Sequence, residues 1–193
     1  MRIRGETVVS RSVTNSTVRG CPRCLAEDIA QAVAYPADAM AMRGDWQLRD
    51  VHLCLRHGHP LVALWTRNRR SERFDHAARL GEIAADLRAG AFDAPPEPVT
   101  GYDTWVDARL ESGPDESWLG SLPVDVAAKA CRRLGEALAT WCLSGPRGEA
   151  TPPRALGHAV LREGPSAFQQ TLHDLAAAAS GPNDAWRKAF GSL

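Results

Sequence analysis

Two short segments dominate what this 193-residue chain can fold into: Cys21-Pro22-Arg23-Cys24 and Cys54-Leu55-Arg56-His57. Each places two metal-binding side chains at the ends of a two-residue gap, so one tight turn can aim both at a single ion. A tetrahedral zinc shell is filled by three thiolates and one imidazole. Such a shell keeps no position for a substrate or a reactive water, so it predicts one structural zinc and argues against a catalytic one. His59 stands two residues past His57 and is a second candidate for the fourth position. His52 lies in an apolar run and is expected to face the core.

Formal charge balances, with 23 basic and 23 acidic side chains. That excludes a broadly basic coat for nucleic acid. The balance hides segregation. Residues 1–92 carry 14 basic and 10 acidic side chains, while residues 93–125 carry one basic and eight acidic. Basic character at the start and an acidic waist suit a protein that meets phosphate locally and protein elsewhere. Five cysteines, three in the metal-type pairs and two on a predicted helix, fit a reducing compartment. No apolar run is long enough to span a bilayer and the N-terminus lacks a signal-peptide core, so the chain reads as cytoplasmic, without a membrane partner.

The pattern predicts a mainly α protein, in which a zinc-binding N-terminal module with short β-strands precedes an all-helical domain. The module covers residues 1–70, a connecting helix 71–93, a Pro-rich linker 94–99 and the helical domain 100–193. Val, Thr and Ser in the first 18 residues favour a short strand or extended arm. Residues 46–55 are apolar at mixed spacing and leave strand and helix open, whereas Leu61 to Trp65 reads as a strand or buried segment. Helical periodicity starts at Ser71, a candidate cap. Thr100 or Asp103 can cap the helix bearing Trp105, Val106 and Leu110. Pro123 opens the strongest helix, whose apolar seam runs through Ala127, Cys131, Leu134, Leu138 and Cys142, making both cysteines core thiols. Gly145 to Gly148 ends it. Further helices are predicted over 153–161, 166–179 and 182–190.

Arg67, Arg69 and Arg70, with Arg73 beside them, make the densest basic cluster. Guanidinium groups pair bidentately with phosphate, so these are candidate nucleic-acid contacts, and a solvated loop paired with Glu72 and Asp75 is the competing reading. Arg23 and Arg56 sit inside the two ligand pairs and join the candidate phosphate face, or offset the charge of three thiolates. The acids of residues 93–125, interleaved with Trp105 and Trp118, read as a protein-facing surface. No nucleophile elbow, glycine-rich phosphate loop or His-Glu-x-x-His is present, and no His-x-Glu precedes Cys21, so a deaminase or other zinc enzyme is not expected.

The blocks Cys21-Pro22-Arg23-Cys24-Leu25-Ala26-Glu27-Asp28, Trp46-Gln47-Leu48 and Cys54-Leu55-Arg56-His57-Gly58 resemble the zinc-binding core of the TniQ family. Its pattern runs Cys-Pro-x-Cys-Leu-x-Glu-Asp, Trp-x-Leu, Cys-Pro-x-His-Gly. Tyr102 to Trp105, Arg109-Leu110, Trp118-Leu119, Leu134-Gly135 and Gly164 to Phe168 resemble later, less specific stretches. Position 55 departs from the pattern, being Leu where Pro is common. The extra cysteines that some members carry beyond the His-Gly are replaced by Leu61 to Trp65, which implies one zinc. The family pattern also extends beyond this chain at both ends, as expected for a shortened paralogue, a remnant or a fragment. The resemblance implies a non-enzymatic target-selection adaptor in DNA transposition. Such a protein contacts double-stranded target DNA or joins a guide-RNA complex and recruits the transposon's AAA+ ATPase regulator; self-association or a guide-RNA complex completes the expected partners. The rival expectation is a stand-alone zinc-stabilised interaction module without DNA binding.

Overall fold

The computed structural model describes residues 2–3, 5–9, 12–13, 15–67, 75–142 and 151–178. The architecture is mainly α. Seven α-helices and three two-stranded antiparallel sheets make up the described residues, and every strand precedes residue 67. The chain forms two compact units, one of residues 9–99 and one that joins residues 1–8 to those from 100 onward. No described helix is long and apolar enough to cross a membrane.

The unit of residues 9–99 is built around its short strands. β3 (Thr17–Gly20) pairs antiparallel with β6 (Val62–Thr66), with an irregularity between Val18 and Arg19. Between them run α1 (Pro22–Ala30), α2 (Pro36–Ala39), a 3-10 turn over Gly44–Gln47, and the hairpin β4 (Leu53–Cys54) and β5 (His59–Pro60). The ambiguous apolar run 46–55 is therefore split between a 3-10 turn and an edge of the hairpin. Trp46, Leu25, Ile29, Leu61 and Leu64 share one core with Cys21, Cys24 and Cys54. Gly20 lies flat on that core, because a Cβ there would stand 2.8 Å from Leu64 Cδ1 and 3.0 Å from Trp46 Cε3. Leu80, Ala84 and Leu87 enter the same core from α3 (His76–Arg88). That helix is capped by Asp75, whose carboxylate accepts from the Ala78 amide at 3.2 Å. The expected cap Ser71 lies outside the described residues. The Pro-rich segment 94–99 is docked by its backbone: the Glu97 amide donates to Gly58 O at 2.8 Å and the Ala94 amide to His59 Nε2 at 3.1 Å.

In the other unit α4 (Gly101–Ser112) begins with a capping box, in which Thr100 and Asp103 each accept from the other's amide. Both predicted caps are thus used together. α5 (Val124–Cys142) follows Pro123 and crosses α6 (Pro153–Leu161) at van der Waals range of the backbones. Gly135 and Gly157 make that approach possible. A Cβ on Gly135 would fall 1.5 Å from Pro153 O, and one on Gly157 would fall 1.8 Å from Cys131 O. The seam residues Ala127, Cys131 and Leu134 are buried as expected, and Ala128 and Ala137 join them. α7 (Pro165–Ala178) carries Phe168, which stacks on Trp118 with ring centroids 5.7 Å apart. The predicted helix end at Gly145 to Gly148, the predicted helix 182–190 and the Cys142 side chain lie outside what is described.

The start of the chain belongs with these helices. β1 (Arg2–Ile3) and β2 (Glu6–Thr7) form a hairpin whose Gly5 amide donates to Leu110 O at 2.9 Å. Glu6 accepts from Arg109 Nε at 2.6 Å, and Arg109 also donates to Leu119 O and Leu122 O at 3.0 Å each. Arg109 is 1% exposed and Glu6 3%. A guanidinium so deeply buried is tolerable only because its donors meet a carboxylate and two carbonyls. Replacing Glu6→Ala strands that charge and should cost about 3–5 kcal/mol in urea unfolding followed by helical circular dichroism. The exposed pairs of Glu136 with Arg132 and Arg133 provide the contrast, and Glu136→Ala should cost less than about 1 kcal/mol.

His158 is buried against the rings of Tyr102 and Trp105. Burial pushes its pKa below the ordinary imidazole value, and Arg162 adds in the same direction, against the pull of Asp103 and Asp115. The unfolded chain therefore takes up a proton near pH 6.5 that the folded chain refuses. Stability should fall by at most about 1 kcal/mol between pH 7.5 and pH 6 through this group. His158→Gln should shrink the drop in the urea midpoint over that interval.

Candidate metal centre

The first ligand pair is formed by the entry to α1. Cys21 is the N-cap residue and Pro22 takes the first helical position, where its missing amide costs nothing. The helix turn brings Cys24 back beside Cys21, and the Cys24 amide donates to Cys21 Sγ. The positive end of the helix thus faces two sulfurs. The second pair is held by the β4–β5 hairpin, which leaves Cys54 on the strand and His57 in the turn. Gly58 closes that turn at φ +56°, in the left-handed region where a side chain is strained.

The four side chains meet. Cys21, Cys24, Cys54 and His57 place one ligand atom each within 4.8 Å of one another, a cluster that could hold a metal ion. Cys24 Sγ lies 3.6 Å from Cys54 Sγ. His57 Nδ1 is 3.5 Å from Cys21 Sγ, 3.3 Å from Cys24 Sγ and 3.7 Å from Cys54 Sγ. A tetrahedron with centre–sulfur bonds of about 2.3 Å and a centre–nitrogen bond of about 2.0–2.1 Å has edges of about 3.8 Å between sulfurs and about 3.6 Å from sulfur to nitrogen. These four distances fit such a polyhedron within a few tenths of an ångström, and the sulfur-rich donor set suits a soft or borderline cation.

The electrostatics of the bare side chains point the same way. Hydrogen bonds from Cys21 and Cys24 pull the Cys54 thiol far down, so one thiolate is favoured. The neighbouring Cys21 and Cys54 sulfurs, with burial added, push the Cys24 thiol far up. Three thiolates cannot coexist in this space unless a cation sits among them.

His57 Nε2, on the far side of the ring, is 3.0 Å from Glu27 Oε1, and Glu27 Oε2 is 2.9 Å from an Arg56 guanidinium nitrogen. Asp28, the next residue, receives Arg43 at 2.8 Å and the Ala41 amide at 3.2 Å, which ties the segment before Trp46 to α1. Arg43 in turn covers the Trp46 ring at 5.0 Å. The Glu-Asp dipeptide therefore serves two different neighbours. Sequence reasoning had the two acids only as parts of a motif. The spacing from Cys24 to Glu27, one helical turn on the same face, was the available signal.

His59, the other candidate ligand, is fully buried and turned away. Its Nδ1 donates to Pro60 O at 2.7 Å and its Nε2 accepts from the Ala94 amide. Of the candidate arginines, Arg23 is exposed and Arg56 is two-thirds exposed while paired to Glu27. Arg67 is half-buried, its amide bonded to Ser16 O at 2.7 Å. Arg69 and Arg70 lie outside the described residues. The acids of the waist and its tryptophans part company: Glu111, Asp115 and Glu116 are exposed, whereas Trp105 and Trp118 are half-buried in ring stacks.

Residues 1–61 match the TniQ family model. The match shows a similarity to that family over the first third of the chain. No curated protein and no solved structure matches the chain. The TniQ match contains all four residues of the cluster together with Glu27 and Asp28. It also takes in the β1–β2 hairpin, so the TniQ segment contributes to both compact units.

Replacing a cluster sulfur should abolish metal retention while leaving a core thiol free to vary. Cys54→Ser should reduce bound metal, measured by elemental analysis of the purified chain, to less than about a tenth of an equivalent. Cys131→Ser, which alters a thiol of the α5 seam, should retain about one equivalent.

Proposed function

We propose that this chain is a non-enzymatic adaptor in DNA transposition, stabilised by one structural zinc and acting through contacts to target DNA and to a transposon AAA+ ATPase regulator. The observation that carries it is the TniQ match over residues 1–61 around a tetrad whose four ligand atoms lie within 4.8 Å of one another. Zinc is the cation of choice for a Cys3His shell, and a shell without an open position supplies folding energy rather than Lewis-acid chemistry. Cys21, Cys24, Cys54 and His57 hold it, and α1 and the β4–β5 hairpin are the elements it joins.

The DNA contact is assigned to basic residues that lie beside the metal-binding segments in sequence. Arg23 is exposed on the first turn of α1, and Arg67 with Arg69 and Arg70 follows β6. Phosphate pairing by such residues is independent of sequence and positions a protein on the duplex. The protein partner is assigned to the acidic residues Glu111, Asp115 and Glu116, whose sign complements a basic patch. Exposure of these acids is the observation that keeps protein–protein contact in view for a chain that fails to bind DNA.

Binding to duplex DNA measured from about 50 to 200 mM salt tests the assignment. A linear fall of log affinity with log salt is expected, at a slope of about −0.9 per phosphate contacted. Arg23→Ala should make that slope shallower by about one unit while weakening all sequences alike. Absence of binding at the lowest salt contradicts the DNA contact and leaves the interaction module.

A further inference from the structure

The metal reading uses the sulfurs and one nitrogen of the imidazole, and leaves unexplained why the other nitrogen meets a carboxylate. His57 aims Nδ1 at three sulfurs, so its remaining hydrogen resides on Nε2. That N–H donates to Glu27 Oε1 at 3.0 Å, and the His57 side chain is only 13% exposed. Arg56 occupies the second carboxylate oxygen at 2.9 Å. A half-exposed glutamate on a helix would otherwise sample many rotamers. Here α1 sets its direction, the imidazole holds one oxygen and the guanidinium holds the other.

We propose that Glu27 is a positioning residue of the metal centre, one that holds His57 in the Nε2–H tautomer with Nδ1 turned to the ion, and that Arg56 holds Glu27 in place. The inference rests on the metal reading above. It follows from the geometry that a single nine-residue helix furnishes two ligands, Cys21 at its cap and Cys24 in its first turn, together with the group that orients a third. A metal-bound imidazole left without this acceptor rotates about its Cβ–Cγ bond and loses ligand basicity, which typically costs 10–100-fold in metal affinity. Arg56 is thereby set apart from Arg23. Its guanidinium serves the metal centre, while Arg23 on the first turn of α1 has no such task.

The experiment compares zinc affinity of the full-length wild type with Glu27→Ala, Glu27→Gln and Asp28→Asn by competition against a chromophoric chelator, alongside long-range proton–nitrogen NMR of the His57 ring. Glu27→Ala should bind zinc about 10–100-fold more weakly. Glu27→Gln, which keeps one acceptor oxygen, should fall between it and the wild type. Asp28→Asn, which disturbs the Arg43 pair on the same helix, should stay within about twofold, because it touches no ligand. The ring spectrum of the zinc-loaded wild type should show a protonated Nε2 that exchanges faster with solvent in Glu27→Ala. Equal zinc affinity of wild type and Glu27→Ala, or a ring bound through Nε2, overturns the proposal while leaving the metal centre in place. A wild type that takes up no zinc overturns both.

Discussion

Four side chains from a helix entrance and a hairpin turn converge within 4.8 Å, and the unit of residues 9–99 is organised by that convergence. Among the described residues its strands come only in pairs, and a two-stranded sheet is marginal in water. What joins the pairs is a core in which three of the twelve buried members are the cluster cysteines themselves. Without a cation, those sulfurs sit close enough that ionising one raises the cost of ionising the next. With a cation, the same crowding becomes a bond between α1 and the β4–β5 hairpin. Around it, His59 and the Gly58 carbonyl fasten the segment 94–99 to the hairpin, so the proline-rich stretch ends the unit as a strap.

The helical unit depends on different chemistry. Its heaviest packing, α5 against α6, is available because Gly135 and Gly157 remove the side chains that would hold the backbones apart. Its buried charge, Arg109, is answered from the other end of the sequence by Glu6. The chain thus starts in one unit, builds the metal-bearing unit between residues 9 and 99, and returns to the first. The TniQ match respects neither border, since it begins at the hairpin that Arg109 needs and ends at Leu61, just past β5. The matched segment is therefore a structural participant in both units.

Much of this was legible in residue spacing. Cys-x-x-Cys and Cys-x-x-His named the tetrad, because a two-residue gap is short enough for local geometry to dictate the outcome. Pro123, Thr100 and Asp103 marked helix starts through equally local capping chemistry. Spacing favoured His57 over His59 as the fourth candidate, and the hairpin sets His57 Nδ1 beside the three sulfurs while His59, paired with Cys54 across the ladder, bonds Pro60 O and the Ala94 amide. The Glu6–Arg109 pair, 103 residues apart, had no local signature. The waist acids and tryptophans were neighbours in sequence, yet α4 and the 3-10 turn over Leu119–Ser121 send the rings to stacks and Glu111, Asp115 and Glu116 to solvent, while Asp103 is buried in the cap of α4. Helical phase separates what sequence juxtaposes.

The central claim is that three sulfurs and the Nδ1 of one imidazole enclose a single zinc. X-ray absorption at the zinc edge of the purified full-length chain tests it most directly. The account predicts one zinc per chain with three sulfur neighbours at about 2.3 Å and one nitrogen neighbour at about 2.0–2.1 Å, and no oxygen. A zinc-free preparation that keeps the native fold, or a shell with a light-atom ligand replacing a sulfur, would contradict it.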